Sequence, residues 1–487
     1  MGKVISIDPI TRLEGHGKID IFLNDDGNVD RAFLQIPELR GFEKFVEGRR
    51  TEEMPQITSR ICGVCPTAHH MAATKALDSL YKVAPTPAAR TIRELFYNLF
   101  MFEDHLLHFY FLGGPDFIVG PDAPKKKRNI LGVIDEVGVE MGKKVIEIRK
   151  RCRALMAELG GKPVHPVLGL PGGVAKQVTE ETRKELEDFA ADAVEFAGIT
   201  LKAFNDIVLE NKSYLDLIFS ESYYLETSYM GMVDDNLKIN FYDGDIRVVD
   251  QKGGEIERFK HDDYADIIAE HVEPWTYIKF PYLRKIGWKG IVDGTGSGIY
   301  RVAPLARLNA SEGMATPTAQ EEYERLFDTI GSRPVHNTLA NHWARLVETL
   351  YAAEHLVELS AREELTSPDI RNMDLSTPDE GVGIVEAPRG TLIHHYEADE
   401  RGIITAANLI VATVANSAAM NIGIERAAKK FIRNGEVNDG LLNMVEMAFR
   451  AYDPCLSCAT HSLPGKMPLQ IRLMKDTDTV IKKIIRD

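Results

Sequence analysis

The sequence predicts an α+β fold that is mainly helical, a large helical bundle core with small peripheral β-sheets. Helical periodicity recurs over long stretches, at about 88–112, 139–159, 179–209, 338–364, 416–432 and 437–452. Strand-like alternation is confined to short runs broken by Asp-Gly and Gly-Gly pairs. No internal repeat, low-complexity segment or linker interrupts the chain, so one compact body is expected over residues 1–461. A chain of 487 residues with 44% hydrophobic and 27% charged residues can bury a large core.

The net charge of −15 argues against a nucleic-acid partner, and no basic run exceeds Lys125-Lys126-Lys127-Arg128. The N-terminal residues show no export signal. The least polar long stretch, 403–424, has no charged residue but carries Asn408, Asn416 and Asn421, which fits a buried strand and helix start and no membrane span. Five cysteines without a signal sequence imply a reducing compartment, and a cytoplasmic location is expected.

In chain order, alternation over 18–23 and 29–36 about Asn24-Asp25-Asp26-Gly27-Asn28 predicts a hairpin. Phe42, Phe45 and Val46 mark a short helix. Pro66 opens a helix through Leu77, which places Cys65 at its N-terminus, where the helix dipole favours a thiolate. The next helix carries His105 and His108 on one aromatic-rich face, more in keeping with core histidines than ligands. Gly160-Gly161-Lys162-Pro163 stops the helix from Val139, and Thr179 caps the one that follows. Residues 213–310 form a β-rich excursion, with strands expected at 237–242, 245–250 and 255–259. Helices return at 318–330 and 338–364, strands at 383–395 and 403–413, and two helices lead to residue 452.

Four of the five cysteines stand in two Cys-x-x-Cys pairs near the ends of the chain: Arg60-Ile61-Cys62-Gly63-Val64-Cys65, then Pro66-Thr67-Ala68-His69, and Asp453-Pro454-Cys455-Leu456-Ser457-Cys458-Ala459-Thr460-His461. Soft ligands paired at this distance point to one metal site that closes the fold. On spacing alone, a structural four-cysteine zinc or a redox-active pair at either end remains open.

The flanking residues carry a resemblance. Arg-x-Cys-Gly-x-Cys-x3-His (60–69), Asp-Pro-Cys-x-x-Cys-x-x-His (453–461), Arg-x-Glu-Gly-His (12–16), Arg-Gly-Phe-Glu (40–43) and Glu-Ala-Pro-Arg-Gly (386–390) together resemble the large, catalytic subunit of nickel–iron hydrogenases. The resemblance implies reversible heterolytic cleavage of H2, which needs a soft metal centre and a nearby base. It makes Cys62 and Cys455 terminal nickel ligands, with Cys65 and Cys458 bridging to an iron that carries carbon monoxide and two cyanides. Glu14 becomes the proton-relay carboxylate. Arg389 lies over the cluster, Ala387 and Pro388 line its pocket, Thr413 donates toward a cyanide, and Asp104 and Asp453 order the arginine. His69 bonds near a bridging thiolate. Glu43 and His461 become ligands of a distant magnesium-type site, with iron as the other metal.

The sequence Val411-Ala412-Thr413-Val414-Ala415-Asn416 departs from the proline-threonine pair of many membrane-bound relatives and points to the cytosolic, bidirectional branch. Acceptors in that branch include NAD(P), F420, ferredoxin and heterodisulfide reductase. The 26 residues after His461 resemble a removable maturation peptide, 462–487. Only Cys152 is left over, and one thiol cannot hold an iron–sulfur cluster. An iron–sulfur small subunit and further electron-transfer subunits are therefore expected partners. The rival readings are a complex-I-like quinone-module subunit without nickel and an H2-sensing regulatory protein.

Overall fold

The computed structural model describes residues 4–461, 469–474 and 480–486. It opens in a three-stranded antiparallel sheet of Val4–Ile7, Lys18–Leu23 and Val29–Gln35. The turn between the last two is tied by Asn24, whose Oδ1 accepts from the Asp26 and Asn28 amides. Ile19, Ile21 and Leu34 are fully buried, so the alternation expected of this hairpin is the face it turns inward.

Long helices build the body, among them α1 Pro66–Leu80, α2 Pro87–Leu107, α3 Val139–Gly160, α4 Glu180–Phe204, α5 Asn341–Ser360, α6 Ala412–Phe431 and α7 Asp439–Arg450. Their ends follow side-chain chemistry. Thr86, Thr179 and Asn438 accept backbone N–H bonds at the starts of α2, α4 and α7, and α3 stops where Gly161 turns left-handed at φ 73°. Helix α5 packs on α2 and α4, and α3 packs on α2. Helices α1 and α2 are buried nearly all round, polar residues included, as befits helices wrapped by others.

A three-stranded sheet, Glu380–Ala387, Gly390–Ala398 and Ile404–Ile410, lies across α1. Its first strand approaches the helix backbone directly. A Cβ on Gly383 would lie 2.2 Å from the Ala72 carbonyl oxygen, and one on Gly381 2.3 Å from that of Ala76. This contact fixes the Pro388-Arg389 turn relative to the first cysteine pair. The 213–310 excursion contains a sheet in the order Tyr300–Arg301, Ser228–Val233, Asp245–Val249, Glu255–Phe259, and the hairpin Ile268–Val272/Lys279–Leu283. No described helix is long and apolar enough to cross a membrane.

Three expectations need correction. The strand expected at 237–242 is irregular, beginning at Leu237 with φ 60°; the strand lies upstream at Ser228–Val233. All six residues of that strand are buried, so it has no polar face to make an alternating pattern. The strand expected to reach Thr413 ends at Ile410, and α6 begins at Ala412 without a capping side chain to signal it. The helices expected to run to 112 and 209 finish in π turns, His108–Gly113 and Asn205–Leu209. In the C-terminal segment, Leu469–Met474 is a strand, paired antiparallel with Val480–Arg486.

Candidate metal centre

Cys62 follows a tight turn at Ser59–Ile61, and the Val64 and Cys65 amides point at its sulfur from 3.2 and 3.1 Å. Cys65 stands at the N-cap of α1, as expected. The second pair comes off α7 through Asp453, itself left-handed at φ 56°, and Cys455 opens the short turn Leu456–Ala459. The four sulfurs lie within 4.8 Å of one another. Cys62 and Cys455 are 3.3 Å apart, Cys65 and Cys458 3.4 Å, Cys455 and Cys458 2.7 Å. All four are buried. Four soft donors converging on one point, sealed from water, fit a thiolate-bound metal.

Burial and mutual repulsion push the Cys455 and Cys458 thiols well above the usual range. Burial acts on Cys62 too, but hydrogen bonds from the other three thiols and the charge of Arg389 outweigh it and hold Cys62 well below. Hydrogen bonds with Cys455 and Cys458 lower the Cys65 thiol, but its contact with Cys62 and burial outweigh them and raise it; a metal cation would favour deprotonation of all four.

Arg389 stands over the sulfurs, buried, with Nε donating to the Asp453 carbonyl at 2.7 Å. Its Nη2 faces Asp453 Oδ2 at 3.0 Å and Asp104 Oδ1 at 3.4 Å. Burial opposes its charge, but the two acids raise it well above the ordinary value. Burial pushes Asp104 up to about 7 and raises Asp453, each against the pull of the arginine. On the Cys65/Cys458 side a closed pocket is bounded by Ala387, Arg389, Thr413 and His69. Pro388 completes the turn that carries the arginine. Thr413 Oγ1 accepts from the Cys455 amide at 3.1 Å, and His69 Nε2 lies 3.4 Å from Cys458 Sγ. Small apolar walls with an arginine and a hydroxyl fit an iron carrying small diatomic ligands.

Glu14 reaches the other side. Its Oε2 accepts from Cys455 Sγ at 2.9 Å and from the Ser457 amide at 3.1 Å. The loop is held by Arg12, which donates to Asp116 at 2.6 Å and Asn443 at 2.8 Å, and by the Leu456 amide bonding to the Glu14 carbonyl at 2.9 Å. Glu14 lines a cleft of about 630 Å³ together with Glu38, Arg40, Arg60 and Ser457. It thus spans from a buried sulfur to an open surface.

Glu43 and His461 come within 3.7 Å of each other. Glu43 Oε1 accepts from the Leu409 amide, and His461 Nε2 faces the Leu409 carbonyl. A carboxylate, a carbonyl and a ring nitrogen together fit a hard cation. The Lys279 ammonium lies 3.6 Å from Glu43 Oε2. His105 and His108 are core histidines, bonded to Glu348 and to the Arg450 carbonyl. Cys152 is buried away from the centre and donates to the Leu99 carbonyl at 3.2 Å.

Sequence reasoning missed the groups that hold the Arg389 turn. Arg307 donates to Glu348, to Glu386 Oε2 at 2.9 Å and to the Ala387 carbonyl at 2.7 Å. Asn416 Nδ2 donates to the Arg389 carbonyl at 2.9 Å. It also missed His394 and Tyr396, which back His69. Of these, only Glu386 stands in a motif; the others leave no local signal.

The family described as Nickel-dependent hydrogenase matches residues 40–129 and 296–461, which carry both cysteine pairs and Arg389. The chain belongs to this family. A second description, HoxL-like, matches residues 4–39. Relatives of this hydrogenase include an iron-sulfur subunit of the F420-non-reducing hydrogenase of Archaeoglobus profundus, 51% identical over 100% of both chains. The NAD-reducing hydrogenase HoxS subunit beta of Cupriavidus necator is 38% identical, again over 100% of both. A solved NAD+-reducing [NiFe]-hydrogenase in the H2-reduced state superposes with TM-score 0.87 at 36% identity, covering 94% of this chain and 99% of that one. The Ni-Fe-Se hydrogenase of D. vulgaris Hildenborough, at 24% identity and TM-score 0.73, shares the fold. The chain is the catalytic subunit of a nickel-dependent hydrogenase, an oxidoreductase acting on H2.

Proposed function

We propose that Cys62, Cys65, Cys455 and Cys458 hold a nickel–iron group and that Glu14 takes the proton released when H2 is cleaved heterolytically. The observation that carries this reading is Glu14 Oε2 at 2.9 Å from Cys455 Sγ, on the wall of an open cleft beside the tetrad. When bound, the group supplies a soft redox centre that polarises H2. Cys62 and Cys455 would be the terminal nickel ligands and Cys65 and Cys458 would also face the iron, a division supported by the closed pocket lying against Cys65 and Cys458. In that pocket Arg389, kept charged by Asp104 and Asp453, and Thr413 offer donors to carbon monoxide and cyanide on iron. His69 donates to a bridging sulfur. Glu43, His461 and the Leu409 carbonyl hold magnesium.

Electrons leave through an iron–sulfur small subunit, because Cys152 is buried singly and the tetrad is the one cysteine cluster among the described residues. The identity to F420-non-reducing relatives supports an acceptor other than F420, reached in the cytoplasm through further electron-transfer subunits. Residues 1–461 act as one domain, and 462–487 are a peptide removed after metal insertion, in keeping with a buried His461.

Metal analysis, infrared spectroscopy and C-terminal mass on the purified complex test this reading. Nickel and iron with carbonyl and cyanide bands, and a chain ending at His461, are the expected results. Zinc alone, without those bands, would refute it.

A further inference from the structure

We propose that His394 and Tyr396 are positioning residues for H2 turnover: through His394, the Tyr396 hydroxyl fixes His69 so that its Nε2–H stays aimed at the Cys458 sulfur. The inference rests on reading Cys458 as a metal-bound thiolate.

A metal-bound thiolate carries no hydrogen, so it can only accept. The proton on the His69 edge that faces it at 3.4 Å must therefore sit on Nε2. A neutral imidazole carries one N–H, which leaves His69 Nδ1 as an acceptor, and the atom facing it is His394 Nε2 at 3.1 Å. His394 must then hold its proton on Nε2 and accept at Nδ1. There it meets the Tyr396 hydroxyl at 2.7 Å, which can supply a hydrogen at that position. With the sulfur fixed as acceptor, the line takes one order of donor and acceptor, and the Tyr396 hydroxyl, donating to His394 Nδ1, completes that order and holds both rings in these tautomers.

The fold keeps this line rigid. His394 and Tyr396 are two residues apart on the Gly390–Ala398 strand, on one face, and α1 carries His69 across from them. The same sheet is pressed onto α1 at Gly381 and Gly383. His69, His394 and Tyr396 are 1%, 0% and 0% exposed. The line ends in the interior, so it cannot carry protons to solvent as Glu14 can. What it can do is hold one N–H···S bond in place and prevent the opposite tautomer, whose nitrogen lone pair would face the anionic sulfur.

The test uses the purified hydrogenase complex with its metal group loaded. Tyr396→Phe removes only the hydroxyl. It is expected to keep full nickel content while the iron-bound carbonyl and cyanide bands move to lower wavenumber, because a sulfur without its N–H partner donates more charge. His394→Leu should give the same shift. His394→Gln, which keeps an N–H donor toward His69 and has no second tautomer, should remain near the wild-type bands. In a His69→Leu background, Tyr396→Phe should add no further shift. Unmoved bands in Tyr396→Phe with nickel retained, or a shift that adds to that of His69→Leu, would overturn the proposal. So would loss of nickel from Tyr396→Phe, which would make the hydroxyl merely structural. Failure of the underlying metal reading looks different: wild type itself would lack nickel and the bands.

Discussion

Replacing Glu14 by glutamine isolates proton transfer from everything else the side chain does. The amide keeps the length of the carboxylate and an oxygen that accepts the Ser457 N–H, now at 3.1 Å, and the Leu456 amide still bonds to the residue 14 carbonyl at 2.9 Å. The folding cost is expected to stay below about 1 kcal/mol, the net worth of one hydrogen bond. What is lost is a group that can accept a proton from Cys455, 2.9 Å away. A positioned acid–base group contributes about 100- to 10,000-fold, equivalent to about 3–5 kcal/mol in the barrier. H2/D2O exchange, followed by gas-phase mass spectrometry on the complex, should fall by that factor, with nickel content and infrared bands unchanged. Glu14→Asp withdraws the carboxylate by about 1.5 Å, one carbon–carbon bond, beyond hydrogen-bond reach of the sulfur, and should fall in between. Exchange at the native rate in Glu14→Gln, with nickel bound, would refute the reasoning.

Arg389→Ala leaves Asp104 and Asp453 buried without their cation, at a cost of about 3–5 kcal/mol read as a lowered melting temperature, and Asp104→Asn in the same chain should restore part of it. Glu386 tests pH dependence. Burial pushes its carboxyl up to about 7 despite Arg307, so the folded chain holds a proton there that the unfolded chain releases above about 4.5. Stability contributed at this site is therefore full below about 4.5 and falls, by about 3 kcal/mol, as pH rises to 7; Glu386→Gln should remove that part of the slope in melting temperatures measured across the window. Gly15→Ala puts a Cβ 2.7 Å from the Ser457 nitrogen at φ 86°, and is expected to lower nickel stoichiometry by pushing the second cysteine pair away from Glu14.

The tetrad and its nearest partners were legible because their residue types are rare and sit in short motifs. Cys62, Cys65, Cys455, Cys458, Glu14, Arg389, Asp104, Asp453, His69 and Thr413 do converge, although they come from several helices, a turn and the N-terminal loop. The groups behind them were not legible. Arg307 lies in a short helix, Pro304–Ala310, and a lone arginine in a helical pattern reads as a solvated face; only the fold shows it buried between Glu348 and Glu386. His394 and Tyr396 stand at strand spacing among apolar residues, where a histidine and a tyrosine carry no signal of what they face. Fold errors had the same origin: Ser228–Val233 is buried on both faces, and Val411 leaves the start of α6 uncapped.

The two cysteine pairs are not held alike, and this bears on how the site closes. Cys62 and Cys65 are set by the start of α1, a helix buried along its length and pinned by the Glu380–Ala387 strand. Cys455 and Cys458 belong to a short irregular segment after α7, and α7 is itself anchored through Arg450 to Asp116 at 2.7 Å. Beyond that anchor the segment is tied to the N-terminal region by backbone bonds: Leu456 to Glu14, Arg40 and Gly41 to Thr460, Glu43 to His461. Each is worth about 1 kcal/mol net, whereas fixing a residue costs about 1–2 kcal/mol of backbone entropy. Side-chain bonds strengthen the attachment: Arg389 and Arg345 donate to the Asp453 and Ala451 carbonyls, and Thr413 accepts from the Cys455 amide. Burial of Leu456, Cys455 and Cys458 adds to them, but it also brings four thiols together against the electrostatic resistance seen at Cys455 and Cys458. A metal turns that resistance into attraction by taking the thiols as thiolates. On the proposed reading of the tetrad, metal binding would reinforce docking of the last segment, with the α1 pair as the more rigidly held half.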